Sequence, residues 1–296
     1  MNDALHETAP AKLNLCLYVG AKRADGLHEI CSLFCPLTLT DELTLTEAES
    51  AADEVVCPAV KGPNLVAAAL SAFRERFGWD GRPIRIEIEK RIPVAAGLGG
   101  GSADAAAALR LAVRASRIEP PREQLYELAA SLGADVPSQL EPRLQLVSGA
   151  GEQLQPFEQQ LELNAVLLVC RDGLSTADVY AHADSMFPPR SNLTELAERV
   201  AAAVIGADGN ALALGELLHN DLQGSSVAIE PSAGEALDRL RESGARAALT
   251  TGSGPTVFGL FADAQSAQRA ATEIDAQWDG AALATGAAIG PSHRVG

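Results

Sequence analysis

Pro93-Val94-Ala95-Ala96-Gly97-Leu98-Gly99-Gly100-Gly101-Ser102-Ala103-Asp104 runs without a break into the alanine-rich segment Ala105 to Arg114. Four of the five positions from Gly97 to Gly101 are glycine, so the backbone is free to take positive φ and to present its N–H groups. Ser102 is of the residue type that caps helices, which predicts a helix over Ser102 to Ala115. Oriented N–H groups backed by the positive end of a helix dipole attract a polyphosphate. The same residues also suit a plain turn between a strand and a helix.

Two well-known phosphate loops do not match. A Walker A loop ends in Gly-Lys-Ser/Thr so that a lysine reaches the β/γ-phosphates, and no lysine follows Arg91. A dinucleotide fingerprint would put Ser102 at its third glycine. It would also open the first strand-to-helix turn, with an acidic residue at a strand end about 20 positions on. Here the loop comes a third of the way into the chain, and no acidic residue after it ends a recognisable strand.

The 296 residues suffice for two domains of ordinary size, expected at 1–155 and 156–296. A hydrophobic content of 47% without low-complexity runs predicts a soluble globular protein. Met1 to Lys12 lacks the basic and apolar regions of a secretory signal, and no apolar run approaches the roughly 18 residues of a spanning helix. Five scattered cysteines without Cys-x-x-Cys spacing read as buried free thiols in a reducing cytoplasm. A net charge of −16 argues against nucleic acid or an anionic membrane as partner. Residues 1–150 carry 15 Lys/Arg against 20 Asp/Glu and residues 151–296 carry 8 against 19, so the glycine loop lies in the less acidic half. Oligomeric state is not legible.

Lys12 to Val19 alternates as a half-buried strand, with Leu13, Leu15, Leu17 and Val19 inward and Lys12 and Asn14 on the opposite face. An Asp-Gly turn at Asp25-Gly26 precedes an apolar segment from Ile30 to Leu37, and a short strand is expected at Glu42 to Thr46. Asn64 to Phe77 reads as an amphipathic helix closed by Gly78, and Pro83 to Lys90 as a strand feeding the glycine loop. A helix at Arg122 to Leu132 and a strand from Arg143 follow. The second half alternates a strand at Leu163 to Cys170, helices near 177–186, 191–204, 210–218 and 233–242, strands at 245–249 and 256–261, a helix near 264–277 and a strand near 281–289. This order predicts α+β layers rather than a doubly wound sheet.

The pattern Pro-x-x-x-Gly-Leu-Gly-x-x-Ser-Ala resembles the phosphate loop of the GHMP kinases, a superfamily of small-molecule ATP kinases. Ala9-Pro10-Ala11-Lys12-Leu13-Asn14-Leu15 resembles their first motif and Gly252-Ser253-Gly254 their third, a second glycine loop that braces the first; by itself it could be an ordinary hairpin turn. Further segments are similar to one branch of that family, over nearly the whole chain: Arg23 to His28, Lys90 to Pro93, Gly133 to Pro137, Ser175 to Tyr180, Asn220 to Leu222 and Gly290 to Arg294.

The resemblance implies a two-domain α+β fold with the active site in the cleft between domains. It also implies ATP-dependent phosphorylation of the 2-hydroxyl of a cytidine-linked polyol, in the non-mevalonate route to isoprenoid precursors. It assigns Asp135 as the base and Lys12 as its partner, which would stabilise the carboxylate and polarise the hydroxyl. Read locally, Asp135 could be only an N-cap of a helical turn. Asn14, Leu27, His28, Asp135, Thr176 and Tyr180 fall on the substrate side, with His28 at the cytosine edge and Tyr180 stacked on the ring. Asn64, Lys90, Pro93, Gly97, Leu98, Gly99, Gly100, Gly101 and Ser102 fall on the ATP side. Mg²⁺ is expected with ATP, its ligands not specified by the sequence. Leu27 stands where the family places a stacking tyrosine, and Ser138-Gln139 where an aromatic or aliphatic residue is usual. Two other readings are a different GHMP kinase, acting on homoserine, mevalonate or a sugar, and a catalytically silent nucleotide-binding regulator.

Overall fold

The computed structural model describes residues 4–170, 173–276, 278 and 281–287. The first two strands are far longer than local alternation predicts. β1 spans Leu5–Lys22, and β2 spans His28–Glu47, absorbing both the apolar segment after the Asp-Gly turn and the short strand expected at Glu42 to Thr46. Leu13, Leu15 and Leu17 are buried, but so are Lys12 and Asn14 on the opposite face, so β1 is covered on both sides there.

The chain continues through β3 (Glu54–Val56), α1 (Leu65–Phe77), β4 (Ile84–Glu89), α2 (Gly100–Ser116), α3 (Arg122–Leu132) and the short α4 (Val136–Leu140). Next come β5 (Gln145–Gly149), β6 (Gln153–Pro156), β7 (Asn164–Val169), α5 (Thr176–Met186) and α6 (Leu193–Gly206). The helix expected at 210–218 is a 3-10 stretch, Ala211–Leu217, broken where Gly215 takes φ 53° and ψ −122°. Then follow β8 (His219–Asn220), α7 (Gln223–Ile229), α8 (Pro231–Glu242), β9 (Ala247–Thr250), β10 (Val257–Leu260), α9 (Ala264–Asp275) and β11 (Ala281–Gly286). The motif Gly290 to Arg294 lies outside the described residues.

Two compact units interleave along the sequence. One holds the chain up to residue 11, residues 39–94 and 99–142; the other holds 12–38, 95–98 and the chain from 143 onward. A single cut near residue 155 does not reproduce this partition, because β1 and β2 each give one end to either unit.

In the first unit, β4 pairs antiparallel with the Glu42 to Glu47 end of β2 and parallel with β3. Ile84, Ile86 and Ile88 alternate inward beside Leu43 and Leu45, and against them pack Leu70 and Phe73 of α1 and Ala105 to Leu109 of α2. Each such large apolar side chain contributes about 1.5–3 kcal/mol on burial. Consecutive alanines let α2 be buried on nearly every side, since no bulky residue keeps its neighbours away. Asn64 caps α1 by accepting from Val66 N at 2.9 Å, and Gly78 closes it in the left-handed region, where a Cβ is costly.

In the second unit, β5 pairs with Ile30 to Phe34 of β2 and with β6, and β1 pairs parallel with β8 through Cys16↔His219 and Leu17↔Asn220. A separate antiparallel sheet follows the order β11-β7-β10-β9. Leu240 of α8 and Ala267 and Ala271 of α9 share a core with its Val166, Leu168 and Val257. One mixed and one antiparallel sheet with helices packed on them make the fold α+β. The five cysteines are free thiols, four buried and Cys57 half-buried. No described helix is long and apolar enough to cross a membrane.

Candidate active site

Helix α2 begins at Gly100 with Gly99 at its N-cap, so Ser102 lies in the first turn and is not the cap. Gly99 takes φ 72°, which turns the chain into the helix before the serine is reached, whereas a serine cap needs extended backbone. Ala95, Gly97 and Gly99 all have positive φ (58°, 74° and 72°) and alternate with residues of negative φ. Such alternation directs successive N–H groups to one side and forms an anion-binding concavity, here leading into the positive end of a 17-residue helix. This cradle suits the phosphates of ATP. A Cβ on Gly97 would lie 2.7 Å from the Gly254 carbonyl oxygen, whereas one on Gly101 would meet nothing within 4 Å.

Gly252, Ser253 and Gly254 belong to the loop joining β9 to β10, whose strands pair through Val257↔Thr250. Gly252 and Gly254 have φ of 58° and 76°. Asn220 Nδ2 donates to the carbonyls of Thr250 and Gly252, both at 2.8 Å, and Ser226 Oγ donates to the Ser253 carbonyl at 3.0 Å. The loop is thereby tied down from β8 and α7. Thr176, the first residue of α5, shares a 3.0 Å hydrogen bond with Ser253 Oγ.

Lys12 and Asn14 form a buried polar strip on β1. Lys12 Nζ donates to Asn14 Oδ1 at 2.7 Å and lies 4.8 Å from the centre of the Phe34 ring. Thr251 Oγ1 donates to Asn14 Oδ1 at 3.2 Å and accepts from Asn14 N at 3.1 Å, while Asn14 Nδ2 donates to Ser32 Oγ at 2.9 Å. A Cβ on Gly252 would sit 3.4 Å from Asn14 Oδ1 and 3.7 Å from Lys12 Nζ, so the second glycine loop lies directly over this strip. The backbone N–H of Lys12 donates to the Leu98 carbonyl at 3.0 Å, fastening the first glycine loop to the same strand.

His28 and Tyr180, far apart in sequence, meet with ring centroids 4.9 Å apart and planes tilted by 32°. His28 Nε2 is 2.8 Å from Asp184 Oδ1, one helical turn beyond Tyr180 on α5. Leu27, the residue before His28, closes the preceding turn, its N–H donating to Asp25 Oδ1 at 3.0 Å, and the residue is 51% exposed.

The first unit carries the other assigned residues. The side-chain oxygen of Asn64 is engaged as the α1 cap described above. Lys90 Nζ donates to Asp41 Oδ2 at 2.5 Å and Asp104 Oδ2 at 2.8 Å. Burial alone would lower the Lys90 ammonium, but its hydrogen bonds to Asp104 and Asp41, and their charges, hold it above its ordinary value. Burial also pushes the Asp104 carboxyl up, to about 7, against the pull of Lys90. Asp135 stands at the head of α4, yet its side chain makes no capping hydrogen bond; Ser138 Oγ instead donates to its carbonyl at 2.7 Å. The cap reading therefore fails for Asp135. Lys12 and Asp135 belong to different units.

Asp41, Asp104 and Asp184 escape a reading of motifs. Asp184 has a sequence signal, its spacing of four from Tyr180 on one helix face. Asp41 has none, since only pairing of distant strands brings it to Lys90. Among the described residues no group of three or more His, Cys, Asp or Glu is placed to hold a metal ion.

Residues 64–141 match the GHMP kinases N terminal domain and residues 194–280 the GHMP kinases C terminal domain. The chain is 36% identical to a 4-diphosphocytidyl-2-C-methyl-D-erythritol kinase of Leifsonia xyli subsp. xyli, over 98% of this chain and 97% of that protein. It is 41% identical to one of Anaeromyxobacter dehalogenans, over 93% and 86%. A crystal structure of 4-(cytidine 5'-diphospho)-2C-methyl-D-erythritol kinase superposes with a TM-score of 0.77 at 33% identity, covering 96% of this chain and all of that one. Identity at this level over nearly full length, on a fold that builds both glycine loops, places the chain among the GHMP kinases, in the 4-diphosphocytidyl-2-C-methyl-D-erythritol kinase family, as an ATP-dependent small-molecule kinase.

Proposed function

We propose that the chain transfers the γ-phosphoryl group of ATP to the 2-hydroxyl of 4-diphosphocytidyl-2-C-methyl-D-erythritol, on the non-mevalonate route to isoprenoid precursors. The hydroxyl oxygen forms the new bond to phosphorus, the bond to the β-phosphate oxygen breaks, and Asp135 takes the hydroxyl proton. Lys12 serves as its partner, a compact ammonium that orients the acceptor and offsets developing charge. The ATP phosphates lie in the Gly97 to Ser102 loop, with Asn64, Pro93 and the backbone at Lys90 toward the adenosine side. Magnesium, when bound with ATP, neutralises phosphate charge in the transition state.

The observation that carries the cytidine assignment, beyond kinship, is the His28–Tyr180 ring pair with Asp184 behind it. A tyrosine ring beside a histidine fixed at one nitrogen supplies a stacking face and a directed polar group, which a nucleobase uses and homoserine or mevalonate does not. Asn14, Leu27 and Thr176 are assigned to the same substrate. The test is ADP release in a coupled assay. Turnover is expected with the cytidine-linked polyol and not with homoserine, mevalonate or a hexose; turnover with one of these alone would overturn the assignment, and none at all would make the chain a silent nucleotide binder.

A further inference from the structure

The Lys90 ammonium has little room to meet a nucleotide. Its side chain is 7% exposed, and its partners Asp41 and Asp104 are 0% and 6% exposed. What it touches instead are the two ends of the glycine-rich loop. At the entry, Asp41 Oδ1 accepts from Arg91 N at 2.6 Å and from Ile92 N at 2.8 Å, while its Oδ2 accepts from Lys90 Nζ. At the exit, Lys90 Nζ donates to Asp104 in the first turns of α2, and a Cβ on Gly100 would lie 3.3 Å from that nitrogen and 3.0 Å from Ile92 Cγ2. One ammonium thus joins a carboxylate that grips the residues leading into the loop to a carboxylate on the helix that leaves it.

We propose that Lys90, Asp41 and Asp104 form a buried tether that draws together the entry and exit of the glycine loop and presets its N–H groups for the phosphates, so that Lys90 is a positioning residue acting through the loop. This rests on the reading that the ATP phosphates bind the Gly97 to Ser102 loop. The physical reason is preorganisation. A glycine-rich backbone has the most conformational freedom to lose on gripping an anion, and fastening both ends removes part of that loss before the ligand arrives. Water would compete for an exposed tether, which is why burial matters: in a low-dielectric surrounding the hydrogen bonds donated by the Lys90 ammonium hold one geometry.

Asp104 is the position to change, because it lies on neither face assigned to substrate. Asp104→Ala cuts the exit side and leaves Lys90 paired with Asp41; Asp104→Asn keeps an acceptor for Lys90. Binding of ATP and of inorganic tripolyphosphate, which has no adenosine, would be measured by calorimetry on the full chain, with competition between the two in the wild type. Asp104→Ala is expected to weaken both by the same factor, about tenfold, the scale of one hydrogen bond to a charged group, and Asp104→Asn to restore both. Should the alanine variant not fold, Lys90→Met in the Asp104→Asn background cuts the tether from its centre and is expected to show the same loss. A folded tether variant that binds both ligands as the wild type does overturns the proposal, since a merely structural cluster shifts melting and not affinity. Loss of ATP binding without loss of tripolyphosphate binding overturns it too, by making the cluster a nucleoside contact. A loss that Asp104→Asn does not restore traces to charge and likewise rejects a tether. If tripolyphosphate does not compete with ATP in the wild type, the phosphate-loop reading itself falls, and the tether with it.

Discussion

Substituting Gly97 and Gly101 separately by alanine places one added methyl group at two points of a single motif, with opposite outcomes. At Gly97 the backbone has φ 74°, where an L side chain costs about 1–2 kcal/mol, and the new Cβ would stand 2.7 Å from the Gly254 carbonyl oxygen. That obstacle is backbone, held in a loop whose neighbouring carbonyls are gripped by Asn220 and Ser226, so it has nowhere cheap to go. At Gly101, the second residue of α2, the Cβ meets nothing within 4 Å, and alanine is preferred over glycine in a helix by about 0.5–1 kcal/mol. Gly97→Ala should therefore lower stability by at least about 1–2 kcal/mol, a fall in melting temperature of about 2–8 °C, and raise KM for ATP as the two glycine loops are pushed apart. Gly101→Ala should melt at or slightly above the wild-type temperature. Differential scanning fluorimetry without nucleotide, followed by steady-state kinetics with varied ATP, reads both effects. If Gly97→Ala melts and turns over like the wild type, the close approach of the two loops is wrong; if Gly101→Ala is the damaging change, the space beside α2 is wrong.

Three further outcomes follow from named side chains. Asp135→Asn should lower kcat by about 10²–10⁴-fold with little change in KM, since it keeps the size of the side chain and removes the base; near wild-type turnover would remove Asp135 as the base. Tyr180→Ala should raise KM for the cytidine-linked substrate by roughly 5–150-fold, the equivalent of about 1–3 kcal/mol of base stacking, with kcat nearly unchanged; an unchanged KM would leave Tyr180 only its packing against Val179 and Leu222. Asp104 binds its proton more tightly when folded, at about 7 against an ordinary 3.8, so the stability tied to its neutral form is complete below about pH 4 and declines as the pH rises through 7. Asp104→Asn should flatten that part of a denaturation-versus-pH curve, and a curve that keeps its slope would show that another group sets it.

The elements whose character is local were legible in the chain. The α1 cap at Asn64 and the stop at Gly78, the inward isoleucines of β4, and a flexible glycine stretch ahead of an alanine helix follow from residue type and spacing alone. Motif resemblance carried the assignment of roles, because it sums many weak local signals in a set order. What escaped was whatever depends on two distant segments meeting. Lys12 and Asn14 read as the wet face of an alternating strand, yet Thr251, 237 residues after Asn14, joins a cover over that face, and alternation cannot distinguish a face met by solvent from one met by another loop. Ser102 has the chemistry of a cap, but Gly99 turns the chain first, since the helix start is decided by where the backbone reverses and not by which side chain could serve. Lys90 read as a nucleotide contact; its ammonium is buried between Asp41, 49 residues away on a paired strand, and Asp104. Charge is a property of the residue, but the partner that spends it is chosen by strand pairing and helix packing, and those are settled only when the whole core closes.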